Sequence, residues 1–222
     1  MSTVAYDTAI VDYGNVLVAW EPLAAVAGHL SVEQWEEFVT GAGFYALNSR
    51  SDTGEPFENI VADLERTHPE RPDWAAALRL YRSRDLYSLT GPVPGVARVL
   101  TELHEQGIRL LGLTNFDHTV FPDAIPLAPV LELFDGIVVS GAEHLTKPDP
   151  ALYRILLERY DVDPARAVFI DDSEANIAGA QQVGITGLHF TGAGRLRCDL
   201  VALGLLPDRK STRLNSSHVK LS

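Results

Sequence analysis

The chain has 222 residues, 46% of them apolar and 22% charged, which suits a globular protein with one sizeable core and room for an inserted module. The formal net charge is −12, and the last fourteen residues, "RKSTRLNSSHVKLS", hold four basic residues and no acid, leaving 14 basic against 30 acidic residues in the rest. So acidic a body repels phosphate backbones and argues against nucleic acid as a partner, and no apolar run reaches the roughly 20 residues of a membrane span.

The opening "MSTVAYDT" has neither a basic n-region nor an apolar h-region, and Cys198 is the only cysteine. A reducing cytoplasm is the expected setting. The first buried strand closes at Ala9-Ile10-Val11, and a carboxylate, Asp12, follows at its tip before a Gly14-Asn15 turn. Residues 19–88 then read as helical, with four helices in "LAAVAGHL", "SVEQWEEFVTGAG", "PFENIVADLERTH" and "PDWAAALRLYRSRDLYSL" and a polar loop at "GFYALNSRSDTGE". Trp20 and Tyr45 are expected in the core of this helical unit, and Arg50 and Asp52, on the loop, are candidates for selecting substrate.

From "TGPVPG" (90–95) onward the rhythm changes. Strand patterns at 108–115, 135–141, 167–172 and 185–190 alternate with helical patterns at 94–107, 149–162 and 173–184. Such alternation predicts an α/β fold, a doubly wound parallel sheet whose ligand crevice lies outside the carboxyl ends of the strands. The expected organisation is a core of 1–18 and 89–208, a helical cap of 19–88, and a tail, 209–222, that resembles translated vector sequence and is left out of the fold reading.

The strand ends carry the chemistry. Strand one stops at Asp12, strand two at Thr114-Asn115 and strand four at Asp171-Asp172, and "HLTKPDP" brings Lys147, the only lysine before the tail. Singly, each has an ordinary explanation as a cap, turn or solvated loop residue. In one sheet they share an edge, where three neighbouring carboxylates cannot all ionise without a cation. A hard, oxygen-liganded Mg²⁺ resolves that conflict and leaves Asp12 facing substrate as a nucleophile, with the Thr114 hydroxyl and the Lys147 ammonium placed for a phosphate.

The ordered stretches "VDYGNVLV", "LTN", "TKPDP" and "FIDDSEAN" resemble the four motifs of the haloacid dehalogenase superfamily, over about two-thirds of the chain. The resemblance implies a Rossmann-like core with a C1-type cap, and "NVLV" with "TNFDHTVFPDA" is similar to the branch that acts on sugar phosphates such as glucose 1-phosphate. It further implies an aspartyl-phosphate on Asp12 and Mg²⁺ held by Asp12, the Gly14 carbonyl, Asp171 and Asp172. Thr114, Asn115, Asn15 and Lys147 fall to phosphate and substrate, and Asn176 to orienting the metal shell. One position departs from the pattern. The family's phosphatases usually have a second aspartate two residues after the nucleophile, and here that residue is Gly14, so the enzyme is expected to favour easy leaving groups.

The expected function is Mg²⁺-dependent hydrolysis of a small phosphorylated metabolite by a monomer or homodimer. A metal-free dehalogenase-type hydrolase and a catalytically weakened phosphate-binding or regulatory protein are the alternatives.

Overall fold

A computed structural model describes residues 6–208; the expectations for 1–5 and for the basic tail lie outside the described residues. In chain order, β1 (Thr8–Val11) leads into β2 (Val18–Trp20) and then five helices: α1 (Pro22–Val26), α2 (Val32–Gly41), α3 (Phe44–Asp52), α4 (Phe57–Thr67) and α5 (Pro72–Ser83). After β3 (Leu89–Pro92) come α6 (Val96–Glu105), β4 (Arg109–Thr114), α7 (Phe121–Ala124), β5 (Gly136–Val139) and α8 (Ser140–Glu143). The chain closes with α9 (Pro150–Arg159), β6 (Ala167–Asp171), α10 (Glu174–Gln182), β7 (Thr186–His189) and α11 (Ala193–Ala202).

Five strands form one parallel sheet in the order β5-β4-β1-β6-β7, the doubly wound α/β arrangement expected. β1 is central because both its faces and both its edges are covered. Ala9 and Val11 pack with Leu100, Leu103 and Leu200 on one face, and Ile10 packs with Leu152, Leu156 and Phe169 on the other. Burial on two faces explains the near-continuous apolar runs that made β1, β4 and β6 readable.

Helices α1 to α5 enclose a separate apolar cluster that includes Trp35, Phe38, Phe44, Ile60, Leu64, Leu78 and Tyr81. The segment holds five helices rather than four, since α3 occupies the stretch read as a loop. Asn48, Ser49 and Ser51 are indifferent helix formers, and Gly43 stands at its N-cap in a left-handed conformation without a side-chain hydrogen bond. Packing of Phe44 and Leu47 into the cluster supplies what propensity does not. Tyr45 is also corrected: it is 59% exposed and edge-packed on Trp20, and Phe44 is the core aromatic.

β2 and β3 pair antiparallel across the base of the helical unit, a two-stranded ribbon the sequence did not reveal. Its strands have three and four residues and lie about seventy positions apart, so no local hairpin signal exists. Among the described residues no helix is long and apolar enough to cross a membrane.

Candidate active site

Asp12 stands one residue beyond β1, and the parallel register sets it level with Leu113 on β4 and Asp171 on β6. Its backbone N–H still donates to the Ile170 carbonyl at 2.9 Å, so the ladder holds the residue after the strand proper has ended. The residue is 7% exposed, with Oδ1 accepting the Tyr13 N–H at 2.7 Å and lying 2.7 Å from the Lys147 ammonium.

Lys147 ties the floor together. Its Nζ lies 2.7 Å from Asp12 Oδ1 and donates to Asp171 Oδ2 at 2.7 Å and to the Leu113 carbonyl at 3.0 Å. Burial alone would lower its pKa, but the two carboxylates outweigh burial and hold it above the ordinary lysine value, so it stays an ammonium. The loop that carries it is fixed by Asn115, whose Oδ1 accepts the Lys147 backbone N–H at 2.8 Å and whose Nδ2 donates to the Lys147 carbonyl at 3.0 Å. Thr114, the last residue of β4, is buried directly before Asn115 and does not line the cavity.

Asp171 is completely buried. Its oxygens accept Lys147, the Ser173 N–H at 2.8 Å, and Asn176 Nδ2 at 3.0 and 3.1 Å. Asp172 is more open and accepts Asn15 Nδ2 at 3.1 Å. Asn15 has a left-handed backbone (φ 56°), and its Oδ1 accepts the Trp20 N–H at 3.0 Å, so the Gly-Asn turn couples Asp172 to β2. Asp12, Asp171 and Asp172 each present an oxygen within 4.8 Å of the others. Burial above all, with Asp171 adding to it, pushes Asp12 up to about 7 against the pull of Lys147. An all-oxygen donor set under this mutual repulsion fits a hard divalent cation.

Above the floor opens a cavity of about 310 Å³. Asp12, Gly14, Asn15, Asn115, Lys147 and Asp172 line its base, while Leu47, Phe57, Ile60 and Leu78 come from three cap helices. Between them lies a polar belt that includes Asn48, Asp52, Arg82, Asp85 and Asp117. Asp117 accepts from Ser51 Oγ at 2.8 Å and lies 2.8 Å from Arg82, so one carboxylate after β4 clasps both α3 and α5. Neither Arg82 nor Asp117 was singled out from the sequence. Their meeting needs a helix and a loop far apart in the chain, and the only local hint was Asp117 inside "TNFDHTV".

The two loop candidates part company. Asp52, the last residue of α3, lines the cavity. Arg50 is taken up by Glu55 at 2.8 Å and Asp63 at 3.0 Å and does not line it, which corrects its expected part in selecting substrate.

A family model described as haloacid dehalogenase-like hydrolase matches residues 6–184. The chain belongs to the haloacid dehalogenase-like hydrolase family. Within it, the chain is similar to the sesquiterpene phosphatase astK of Aspergillus oryzae, at 29% identity over 84% of this chain and 90% of that protein. It is also similar to the ribulose-1,5-bisphosphate 5-phosphatase of Halopiger xanaduensis, at 31% identity over 82% and 83%. The fold matches a magnesium complex of the enzyme bt-2542 from Bacteroides thetaiotaomicron with TM-score 0.65 and 18% identity, covering 86% of this chain and 95% of that one.

Proposed function

We propose that this hydrolase cleaves small phosphomonoesters with Mg²⁺, through an aspartyl-phosphate on Asp12. The observation that carries the reading is the Lys147 ammonium held against Asp12 Oδ1 at the base of the cavity, with the oxygens of Asp171 and Asp172 gathered beside it. An ammonium bonded to Asp12 and an acidic oxygen cluster that includes Asp12 suit a dianionic phosphoryl group that arrives with a metal. They do not suit a haloacid, whose own carboxylate the acidic wall would repel.

Asp12, the Gly14 carbonyl and Asp172 would hold Mg²⁺, which when bound neutralises the carboxylates and draws charge from the phosphoryl oxygens. Asp171 borders the same cluster, but its oxygens already serve Lys147, Ser173 and Asn176, so it acts chiefly to aim the ammonium. Lys147 and Asn115 hold the non-bridging oxygens, Thr114 closes the strand beneath them, and Asn15 steadies Asp172. Asp12 then displaces the alcohol from phosphorus, and water later releases phosphate from the acyl-phosphate.

Both named relatives are phosphatases, which supports a phosphate ester as substrate. The polar belt suits a sugar-type leaving group. The apolar wall of Leu47, Phe57, Ile60 and Leu78 favours a second class, alcohols with a hydrocarbon portion. A panel of sugar phosphates and prenyl or alkyl monophosphates, assayed with Mg²⁺, tests the reading. Release of phosphate from members of either class supports it and ranks the two. Failure on every phosphomonoester, p-nitrophenyl phosphate included, would overturn it.

A further inference from the structure

Expelling an alcohol from phosphorus leaves an alkoxide unless a proton arrives with it, and the activated water of the second step must lose one. Position 14, next to the nucleophile's turn, is glycine and supplies neither. Five carboxylates line the cavity: Asp12 and Asp172 belong to the cation cluster, and Asp52, Asp85 and Asp117 remain. Asp117 is fully engaged by the Thr119 N–H at 2.8 Å, the Thr119 hydroxyl at 2.7 Å, Ser51 and Arg82. Asp85 lies against Arg82 at the far end of α5.

We propose that Asp52, delivered from the cap, is the general acid and base of this site, taking the part for which position 14 has no side chain. The inference rests on the phosphoryl-transfer reading above. In the first step Asp12 Oδ bonds to phosphorus, the bond from phosphorus to the leaving oxygen breaks, and that oxygen takes the proton of Asp52. In the second, water bonds to phosphorus, its proton passes to the Asp52 carboxylate, and the bond from phosphorus to Asp12 breaks to free phosphate and restore both residues.

Asp52 is fixed where this role requires. Its own carbonyl accepts the Ser140 hydroxyl, and the Ser140 oxygen accepts the Phe116 N–H at 2.9 Å, so a single side chain links the end of α3 to the loop that follows Thr114-Asn115. Two residues on, Gly54 has φ +79°, and a Cβ there would stand 2.2 Å from the Gly141 carbonyl oxygen, so backbone is pressed on backbone at this seam. His144 Nδ1 lies 3.1 Å from the Thr53 carbonyl in the same contact. The Asp52 carboxylate therefore hangs from a pinned turn over the cavity, accepting Asn48 Nδ2 at 3.1 Å.

Its surroundings give it the right proton affinity. Tyr81 and Arg82 on α5, Asp85 beyond them, Asp117 after β4 and Lys147 after α8 are the titratable groups around it. Burial and then Asp117 push Asp52 up to about 7, against the pull of Arg82, Asn48 and Lys147. Burial also raises Asp117, but Thr119, Ser51 and Arg82 bring it below the usual carboxylate range. Two adjacent carboxylates driven apart in this way mark one as proton donor and the other as fixed anion.

The test is Asp52→Asn, alone and with Gly14→Asp, on a series running from p-nitrophenyl phosphate through phenyl phosphate to alkyl phosphates. Gly14 has no left-handed φ, and nothing lies within 4 Å of an added Cβ, so an aspartate fits there. Asp52→Asn is expected to lose about 10²–10⁴-fold on alkyl phosphates but less than about tenfold on p-nitrophenyl phosphate, whose leaving group needs no proton. It should also lose the fall in alkyl-phosphate rate above about pH 7 expected of the wild type. Gly14→Asp in that background should restore part of the alkyl-phosphate rate. An equal loss on every leaving group, or no loss, would overturn the proposal while wild-type turnover persists. A wild type inactive on the whole series would instead remove the phosphatase reading, and the role of Asp52 with it.

Discussion

Asp12 and Lys147 are nearly buried charges that coexist because they face one another, and each depends on the other's identity. Asp12→Asn keeps the shape and removes both the nucleophile and one of three crowded carboxylates. Turnover should fall at least about 10³-fold, and the metal-free variant should melt no lower than wild type, as differential scanning fluorimetry would read. Lys147→Ala leaves Asp171 buried without its cation and should cost both rate and fold stability, whereas Lys147→Arg restores little. A planar fork cannot place one point charge on Asp12, Asp171 and the Leu113 carbonyl together. Wild-type kinetics in both variants would show the ammonium to be dispensable. These residues were legible in sequence because each ends a recognisable strand or sits in a motif. Arg82, Asn48 and Asp117 were not, since no periodicity or motif reports which loop a helix end will touch.

At the scale of elements, the sheet was readable because parallel strands buried on both faces are written as apolar runs, and helix stops at Gly107 and Gly184 mark their approach. α3 was hidden by its polar composition, and with it the fact that Asp52 ends a helix rather than floats in a loop. That helix end is held to the core by the Ser140 hydroxyl. Ser140→Ala should therefore reduce kcat on alkyl phosphates by roughly tenfold, more than on p-nitrophenyl phosphate, with KM little changed. An equal effect on both substrates would assign Ser140 to packing alone. The β2–β3 ribbon escaped notice for a related reason: its pairing is set by closure of the helical unit, not by local turn residues.

Across the whole molecule, the cavity's charge sets how stability responds to pH. Asp52 has a folded-state pKa of about 7 against 3.8 for the free side chain, so the native state holds a proton that the unfolded chain has released. Its contribution to stability is present at low pH and is lost as pH rises from about 4 to about 7. Asp52→Asn removes that loss. The variant should match wild type near pH 4 and melt higher at pH 8, by roughly 2–4 °C for each kcal/mol relieved in a chain of this size. A constant difference across that range would place the effect in packing rather than in charge.

The proposed chemistry depends first on Asp12 acting with a divalent cation upon a phosphate ester. Hydrolysis of p-nitrophenyl phosphate, followed for wild type and Asp12→Asn with Mg²⁺ and again after EDTA, tests this most directly. Wild type should turn over with Mg²⁺, stop in EDTA and recover when Mg²⁺ is restored in excess, with Asp12→Asn inactive throughout. Wild-type turnover that survives EDTA unchanged, or an Asp12→Asn rate within about tenfold of wild type, would contradict it.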